Sequence, residues 1–347
     1  MHHLLYVSQL YSLSILRPLQ KAAKKRGDEC AWFFDPPLNG NAYLDGCERL
    51  LSEVDDVINW KPDAVYVPGN VVPHFFPGVK VQVFHGLATD ETGKKGHYRI
   101  RGFFDLYCTR NPDETEKFKA LEKKYGHFRV AETGWPKLDP LFSDLGQNIR
   151  TELGIEKPIV LYASTFSPSL TSAPQLFDEI RELSSSGKWH WLVTLHPKMD
   201  EAVVAQYRTL AGPNLTFFES HEDVLPLMHA ADAMLCDTSS IALEFQMLNK
   251  PLVTFKNKTP GQHHISVTNV EQIESALSEA LNCPEPLMRA TQKFVEFLHP
   301  RNDGRSSERV IAAVDSFIAS GYGQLRQKPL NLLRKWKIRK KLGYYRF

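Results

Sequence analysis

The feature that most constrains this chain is a pattern that runs along it twice. Short runs rich in β-branched and aromatic residues alternate with stretches whose apolar residues have helical spacing. In the first half the runs are LLYVS (4–8), CAWFF (30–34), AVYVP (64–68), KVQVFH (80–85) and LYCTR (106–110), with helical patterns over 14–26, 46–59 and 111–125. The second series runs from IVLYAS (159–164) through a helix at 173–187, WHWLVTLHP (189–197), LTFFES (215–220) and a helix near 222–231. It ends with AMLCD (233–237), a helix from Thr238 and PLVTF (251–255), and a helix at 305–319 follows. Strands separated by helices cannot pair as tight hairpins. They form parallel sheets with helices on the faces.

A chain of 347 residues is too long for one ordinary core and suits two domains of about 150–170 residues each. The segment ETGWPKLDPLFSD (132–144), with its Gly and two Pro, marks the boundary. The reading is an N-terminal domain over 1–145, a second over 146–320 and a tail over 321–347, the two Rossmann-like domains facing a shared cleft.

Composition narrows the class. Hydrophobic residues at 42% and charged residues at 24% describe a globular chain, and no apolar run approaches the roughly 18–20 residues of a membrane span. The N-terminal stretch lacks a basic segment and polar residues interrupt its apolar part, so it reads as a first strand and amphipathic helix, not a secretory signal. Five scattered cysteines, an odd number without C-x-x-C spacing, point to a reducing, cytoplasmic setting.

Charge is uneven. Residues 321–347 carry nine of the 42 Lys/Arg and no Asp or Glu, leaving 33 basic against 40 acidic residues in the body. Leu332, Leu333 and Trp336 share a helical face among these cations. The tail is therefore expected to bind an anionic membrane surface, with a disordered solvated tail or packing back onto the acidic body as the other readings.

The stretch from Asp223 to Phe255 carries the most chemistry. A buried strand ends at Asp237, and Thr238, Ser239 and Ser240 open the next helix. Their backbone N–H groups and the helix dipole make an anion site for a diphosphate, with Glu244 one turn on, where a carboxylate can accept from ribose hydroxyls. An ordinary N-cap followed by a surface Glu remains open at this point. His196 ends a strand that Pro197 stops, and His85-Gly86 ends another. Strand carboxyl ends are where open α/β sheets bind ligands.

With these residues in view, the chain resembles the CDP-glycerol glycerophosphotransferase family of teichoic-acid and related polymer assembly. The resemblance is carried by VFHG (83–86), ETGWPKLD (132–139), YASTFSPS (162–169), TLHPKM (194–199), the 223–255 block and DGRSSERV (303–310). It implies a GT-B fold with transfer of glycerol phosphate from CDP-glycerol to a hydroxyl of a glycan or lipid-linked acceptor. It also implies that His85 is the general base, that His196 lies by the donor phosphates, and that Ser239, Ser240 and Glu244 surround the nucleotide. Where family members commonly read H-G-T-P, this chain reads His-Gly-Leu-Ala-Thr-Asp, so the acceptor is not specified. An imidazole, with an ordinary pKa of about 6.5, suits proton removal near neutral pH. The basic run Lys94, Lys95, His97, Arg99, Arg101 beside Gly86 would attract a phosphorylated acceptor, or is a solvated face. No D-x-D motif or metal-ligand spacing stands out, so no metal site is assigned and no cofactor beyond the donor is expected, with divalent-metal dependence left open. The acidic body argues against a nucleic-acid partner. Two other readings fit the same layout: a GT-B glycosyltransferase or UDP-sugar 2-epimerase, and a non-catalytic scaffold docked by its tail.

Overall fold

The computed structural model describes residues 1–87, 96–143, 148–321 and 325–346. They form two compact units, one of Met1–Phe142 with Leu298–Phe347 and the other of Ser143–Phe297.

In the first unit the elements run β1 His2–Val7, α1 Ser12–Lys25, β2 Glu29–Phe34, β3 Arg49–Leu50, α2 Val54–Trp60, β4 Ala64–Val67, β5 Val79–Gln82, β6 Leu106–Thr109, α3 Pro112–Tyr125 and β7 Arg129–Glu132. All pairings are parallel, in the order β3-β2-β1-β4-β5-β6-β7. Leu4, Tyr6, Phe33, Val65, Val67 and Phe76 lie in its buried core. The central strands β1 and β4 take up near-continuous apolar runs because both faces of the sheet are covered.

The second unit holds α4 Ile149–Glu152, β8 Ile159–Ser164, α5 Ala173–Ser185, β9 His190–Leu195, α6 Glu201–Arg208, β10 Leu215–Phe218, α7 Leu225–Ala230, β11 Ala233–Cys236, α8 Ser240–Gln246, β12 Leu252–Phe255, β13 Ile265–Val267, α9 Ile273–Leu281 and α10 Glu285–Leu298, whose last residue belongs to the first unit. Its parallel sheet has the order β10-β9-β8-β11-β12-β13 around Val160, Trp191, Val193, Leu235 and Val253. The chain closes with α11 Ser306–Ala319 and α12 Leu332–Leu342. No helix among the described residues is long and apolar enough to cross a membrane.

Two expectations are corrected here. The helical pattern over 46–59 is a turn, the short β3 and then α2. The Glu48 carboxylate accepts from Trp32 Nε1, Gln20 Nε2 and the Asp45 N–H, and Leu51 N–H donates to the Trp32 carbonyl, so the chain pairs at the sheet edge before coiling. The second is the domain limit at residue 320, because α11 and the tail pack with the first unit. Asp139, the buried last residue of the 132–139 motif, accepts the N–H groups of Ser306 (2.8 Å) and Ser307 (2.7 Å) and so caps α11. His299 accepts the Trp135 N–H at 2.8 Å. Gly134 has a φ of +82°, and a Cβ there would come within 2.5 Å of Ser306 Oγ. The two family segments at 132–139 and 303–310 are therefore one structural joint.

The tail also lies against this unit. Arg326 N–H donates to the Gly126 carbonyl, Lys328 pairs with Asp105 and Lys341 with Asp35 at 2.6 Å each, and Arg346 reaches Asp55. Ile338, Leu342 and Tyr344 pack on the aromatic core, and Gly343 ends α12 in the left-handed conformation.

Asp139→Ala removes the acceptor for two buried N–H groups and should lower stability by about 2–4 kcal/mol. Urea unfolding measures this, and an unchanged midpoint would show that α11 is held without that cap.

Candidate active site

Because every strand in each sheet runs the same way, all carboxyl ends fall on one edge. The strand order reverses between β1 and β4 in the first unit and between β8 and β11 in the second. Loops diverge at such a reversal and leave room for a ligand.

In the first unit three loops meet there. Gly69, just after β4, approaches Ser8, just after β1, so closely that a Cβ would lie 2.7 Å from Ser8 Oγ. His85 follows β5, its ring 5.5 Å from that of Tyr11, and its Nδ1 is 3.2 Å from the Pro68 carbonyl. A carbonyl only accepts, so Nδ1 carries the proton and Nε2 is the basic nitrogen of the neutral ring. A Cβ at Gly86 would meet nothing within 4 Å. Arg101 donates to Asn70 Oδ1 at 3.1 Å, which places its guanidinium by the β4 loop. Arg99 is exposed, with its carbonyl turned to Arg101. His97 does not join a basic face, since it bonds the buried Glu114 at 2.6 Å. Lys94 and Lys95 lie outside the described residues.

In the second unit, register sets the geometry. Cys236 pairs with Ala163 and Leu195 with Ser164, so Asp237 is level with Ser164 and His196 with Thr165 on neighbouring strands, spaced about 4.8 Å apart in the hydrogen-bonding direction. Asp237 is 1% exposed. Its carboxylate accepts from Ser164 Oγ (2.5 Å), Thr165 N–H (3.0 Å), Ser172 N–H (2.9 Å) and Ser172 Oγ (3.0 Å). One buried carboxylate thus ties both ends of the 165–172 loop to the end of β11.

That loop carries Phe166, whose ring centre lies 4.4 Å from that of His196 and 5.5 Å from Lys198 Nζ. The Lys198 N–H donates to His196 Nδ1 at 3.0 Å. Here Nδ1 accepts, so Nε2 of the neutral ring bears the proton and is a donor. Burial, and then the Lys198 charge, lower the His196 pKa and favour that neutral form. Thr238 Oγ1 accepts from Lys258 N–H at 3.4 Å. Ser239 is the N-cap of α8 with no side-chain cap bond, Ser240 is exposed, and Glu244 is half-buried one turn along.

The residues read from sequence therefore fall into two groups at two strand-order reversals. The model of the CDP-glycerol:poly(glycerophosphate) glycerophosphotransferases matches residues 78–316. The chain belongs to that family. It is 23% identical over 248 residues to the teichoic acid poly(glycerol phosphate) polymerase of Bacillus spizizenii, covering 66% of this chain and 59% of the relative. It is 26% identical over 237 residues to the teichoic acid glycerol-phosphate primase of Bacillus subtilis, covering 64% and 61%. The chain thus spans about three fifths of the length of these relatives.

Among solved structures, the wall teichoic acid polymerase TagF matches with a TM-score of 0.62 at 15% identity, over 92% of this chain and 90% of that one. A TagF variant soaked with CDPG gives 0.63, at 15% identity and over 92% and 89%. The UDP-GlcNAc 2-epimerase of Neisseria meningitidis, bound to UDP-GlcNAc, gives 0.62 at 15% identity, over 91% and 100%. These likenesses establish the fold, two parallel-sheet α/β domains of the GT-B kind.

Reading the family motifs as sequence left three side chains out of the site: Asp237, Phe166 and Lys198. Asp237 had a visible signal, an acid at the very end of an apolar strand. Phe166 and Lys198 acquire their meaning only from their contacts with His196.

Asp237→Asn would turn an amide donor toward groups that themselves donate. It should cost about 2–4 kcal/mol of stability, read by urea unfolding, with increased protease cleavage in 165–172. A variant as stable and as resistant as the parent would mean that the loop is held by other bonds.

Proposed function

We propose that this protein is a transferase that moves glycerol phosphate from CDP-glycerol to a hydroxyl of a glycan or lipid-linked acceptor, releasing CMP. The observation that carries the reading is the opposite assignment of two strand-end histidines. His85 holds its proton on Nδ1 and offers a basic Nε2, whereas His196 offers a donor Nε2–H. Family membership and the teichoic-acid relatives support the donor and the reaction class.

In this reading the acceptor hydroxyl gives its proton to His85 Nε2 as its oxygen attacks the phosphorus bearing glycerol. The bond from that phosphorus to the bridging oxygen breaks, and CMP departs with the electron pair. No covalent enzyme intermediate is required, so rate enhancement comes from alignment and from neutralising charge on the diphosphate. His196 Nε2–H, the Ser239 and Ser240 hydroxyls and Thr238 donate to phosphate oxygens. Glu244 accepts from the ribose. Gly86 leaves space beside the base, and Arg99 and Arg101 attract an anionic acceptor. Lys94 and Lys95 are assigned the same task by their place in the sequence. A UDP-sugar enzyme shares this fold, but its donor is not the one that the family points to.

The tail completes the proposal. Leu332, Leu333 and Trp336 are 69%, 79% and 54% exposed, next to Leu330 at 72%. The opposite side of α12 is taken up by Ile338 and Leu342 against the first unit. An exposed Leu/Trp face ringed by Arg334, Lys335, Lys337 and Lys340 suits the interface of an anionic leaflet, with the enzyme peripheral on the inner face of the membrane beside a lipid-linked acceptor.

Two measurements test this function. His85→Ala should reduce CMP release about 10²–10⁴-fold with donor affinity retained, and Glu244→Ala should weaken CDP binding by about 1–3 kcal/mol in calorimetry. Near-normal turnover in the first variant or unchanged affinity in the second removes that residue from its role. For the tail, Leu333→Glu with Trp336→Glu should abolish co-sedimentation with phosphatidylglycerol vesicles and leave soluble-acceptor turnover intact. Persistent binding by the double variant, or binding insensitive to 0.5 M salt (where the screening length is roughly 4 Å), would count against the tether.

A further inference from the structure

Immediately before His85 stands the one residue of the β5 segment with a left-handed backbone, Phe84, at a φ of +57°. A bulky aromatic in that region is unfavourable and persists only where its surroundings hold it. Val83 N–H still donates to the Val67 carbonyl, so strand-like pairing with β4 continues up to the residue before the turn. The left-handed step then swings the chain off the ladder and sets the His85 ring beside Pro68 at the end of β4.

What holds Phe84 is a buried cage. Its ring, 4% exposed, lies 5.1 Å from His97 and 5.3 Å from Phe118, with the Arg110 guanidinium 5.0 Å over its face. Arg110 is fixed in turn by Glu114, which accepts from the Arg110 Nε at 2.9 Å, from the Arg110 N–H at 2.8 Å and from His97 at 2.6 Å. Burial alone would raise the Glu114 carboxyl, but Arg110 and the bond from His97 outweigh it and bring it down to about 2. The backbone is held as well: the Phe84 carbonyl accepts from Trp135 Nε1 at 3.4 Å, and Trp135 is fixed through its own N–H on His299.

We infer that Phe84, held by the Arg110–Glu114 pair and by Trp135, is a positioning residue for His85: it sets the ring orientation that bonds Nδ1 to Pro68 and so makes Nε2 the base. The inference rests on the reading of His85 as the base. It extends that reading by giving the 132–139 motif a second task, because the segment that caps α11 also carries the indole that grips the histidine's turn. The cage ties the base to α3 and to the end of the Gly134–Trp135 segment, so both report on its orientation.

Two substitutions separate this from a purely structural role. Phe84→Gly keeps the left-handed backbone accessible and removes the caged ring. Trp135→Phe keeps an aromatic ring there and removes the indole N–H. The first readout is the His85 ring tautomer, by ¹⁵N NMR on folded protein without substrate, with His190 of the second unit as an internal control. The parent should show His85 protonated on Nδ1, and both variants should show a mixture of tautomers while His190 stays unchanged. The second readout is turnover, expected to fall more than tenfold in Phe84→Gly and severalfold in Trp135→Phe, with the donor KM within twofold of the parent. If Phe84→Gly does not fold, Trp135→Phe carries the test. A parent-like tautomer in a folded variant overturns the inference even if turnover drops, since the cage would then serve only the fold. The tautomer is read without substrate, so a failure to find glycerophosphotransfer would leave this measurement standing.

Discussion

A strand in a parallel sheet can pair only with neighbours that run its own way, so each sheet of this protein delivers all of its strand ends to one edge. The candidate residues at the strand ends depend on that constraint. His85, Gly69 and Ser8 follow β5, β4 and β1, and His196, Thr165 and Asp237 follow β9, β8 and β11. In each unit these strands are neighbours at the point where the order reverses. The helices that cover the two faces keep the sheets dry and rigid, and the loops beyond the edge are left to carry chemistry.

Loops placed in this way still need to be held, and buried carboxylates do most of that holding. Asp237 fixes the 165–172 loop, Asp139 fixes the start of α11, and Glu114 fixes Arg110 and His97. Each accepts several N–H or O–H groups, which offsets the cost of taking a charge out of water, whereas loss of one partner would leave an uncompensated polar group inside. The same principle applied to a cation explains Lys250, whose ammonium donates to the carbonyls of Met228, His229 and Ala231 at the end of α7. Burial of that ammonium lowers its pKa to about 8.

The parallel architecture was legible because apolar strand runs and helical spacing are local properties. Elements without a strong local signal escaped notice. β7 (Arg129–Glu132) carries two charges, β13 has three residues, and α6 is a short helix of eight residues. The segment 46–59 has the composition of a helix, but the bonds of Glu48 to Trp32, Gln20 and Arg17 are contacts across the sequence that no window of it contains. The return of α11 and the tail to the first unit escaped for the same reason: Asp139 and Ser306 are 167 residues apart. Among the candidate site residues, the placement of the two histidines and of the Thr238–Glu244 stretch just beyond strand ends was legible from position. His97 was not, because its bond to Glu114 converts an apparent surface cation into part of a buried cage.

What separates the two histidines chemically is smaller than a side chain. Both are strand-end imidazoles, and composition cannot distinguish a base from a donor. The difference lies in which backbone group each Nδ1 meets, a carbonyl that forces a proton onto it at Pro68 or an N–H that forbids one at Lys198. Backbone groups are fixed by the fold and do not titrate, so these assignments hold while the rings remain neutral. For His196 burial and Lys198 both favour that neutral form. The two rings are therefore held in opposite neutral tautomers by the backbone group that each Nδ1 meets. The left-handed turn at Phe84 matters because it brings the His85 ring to the carbonyl that makes the assignment.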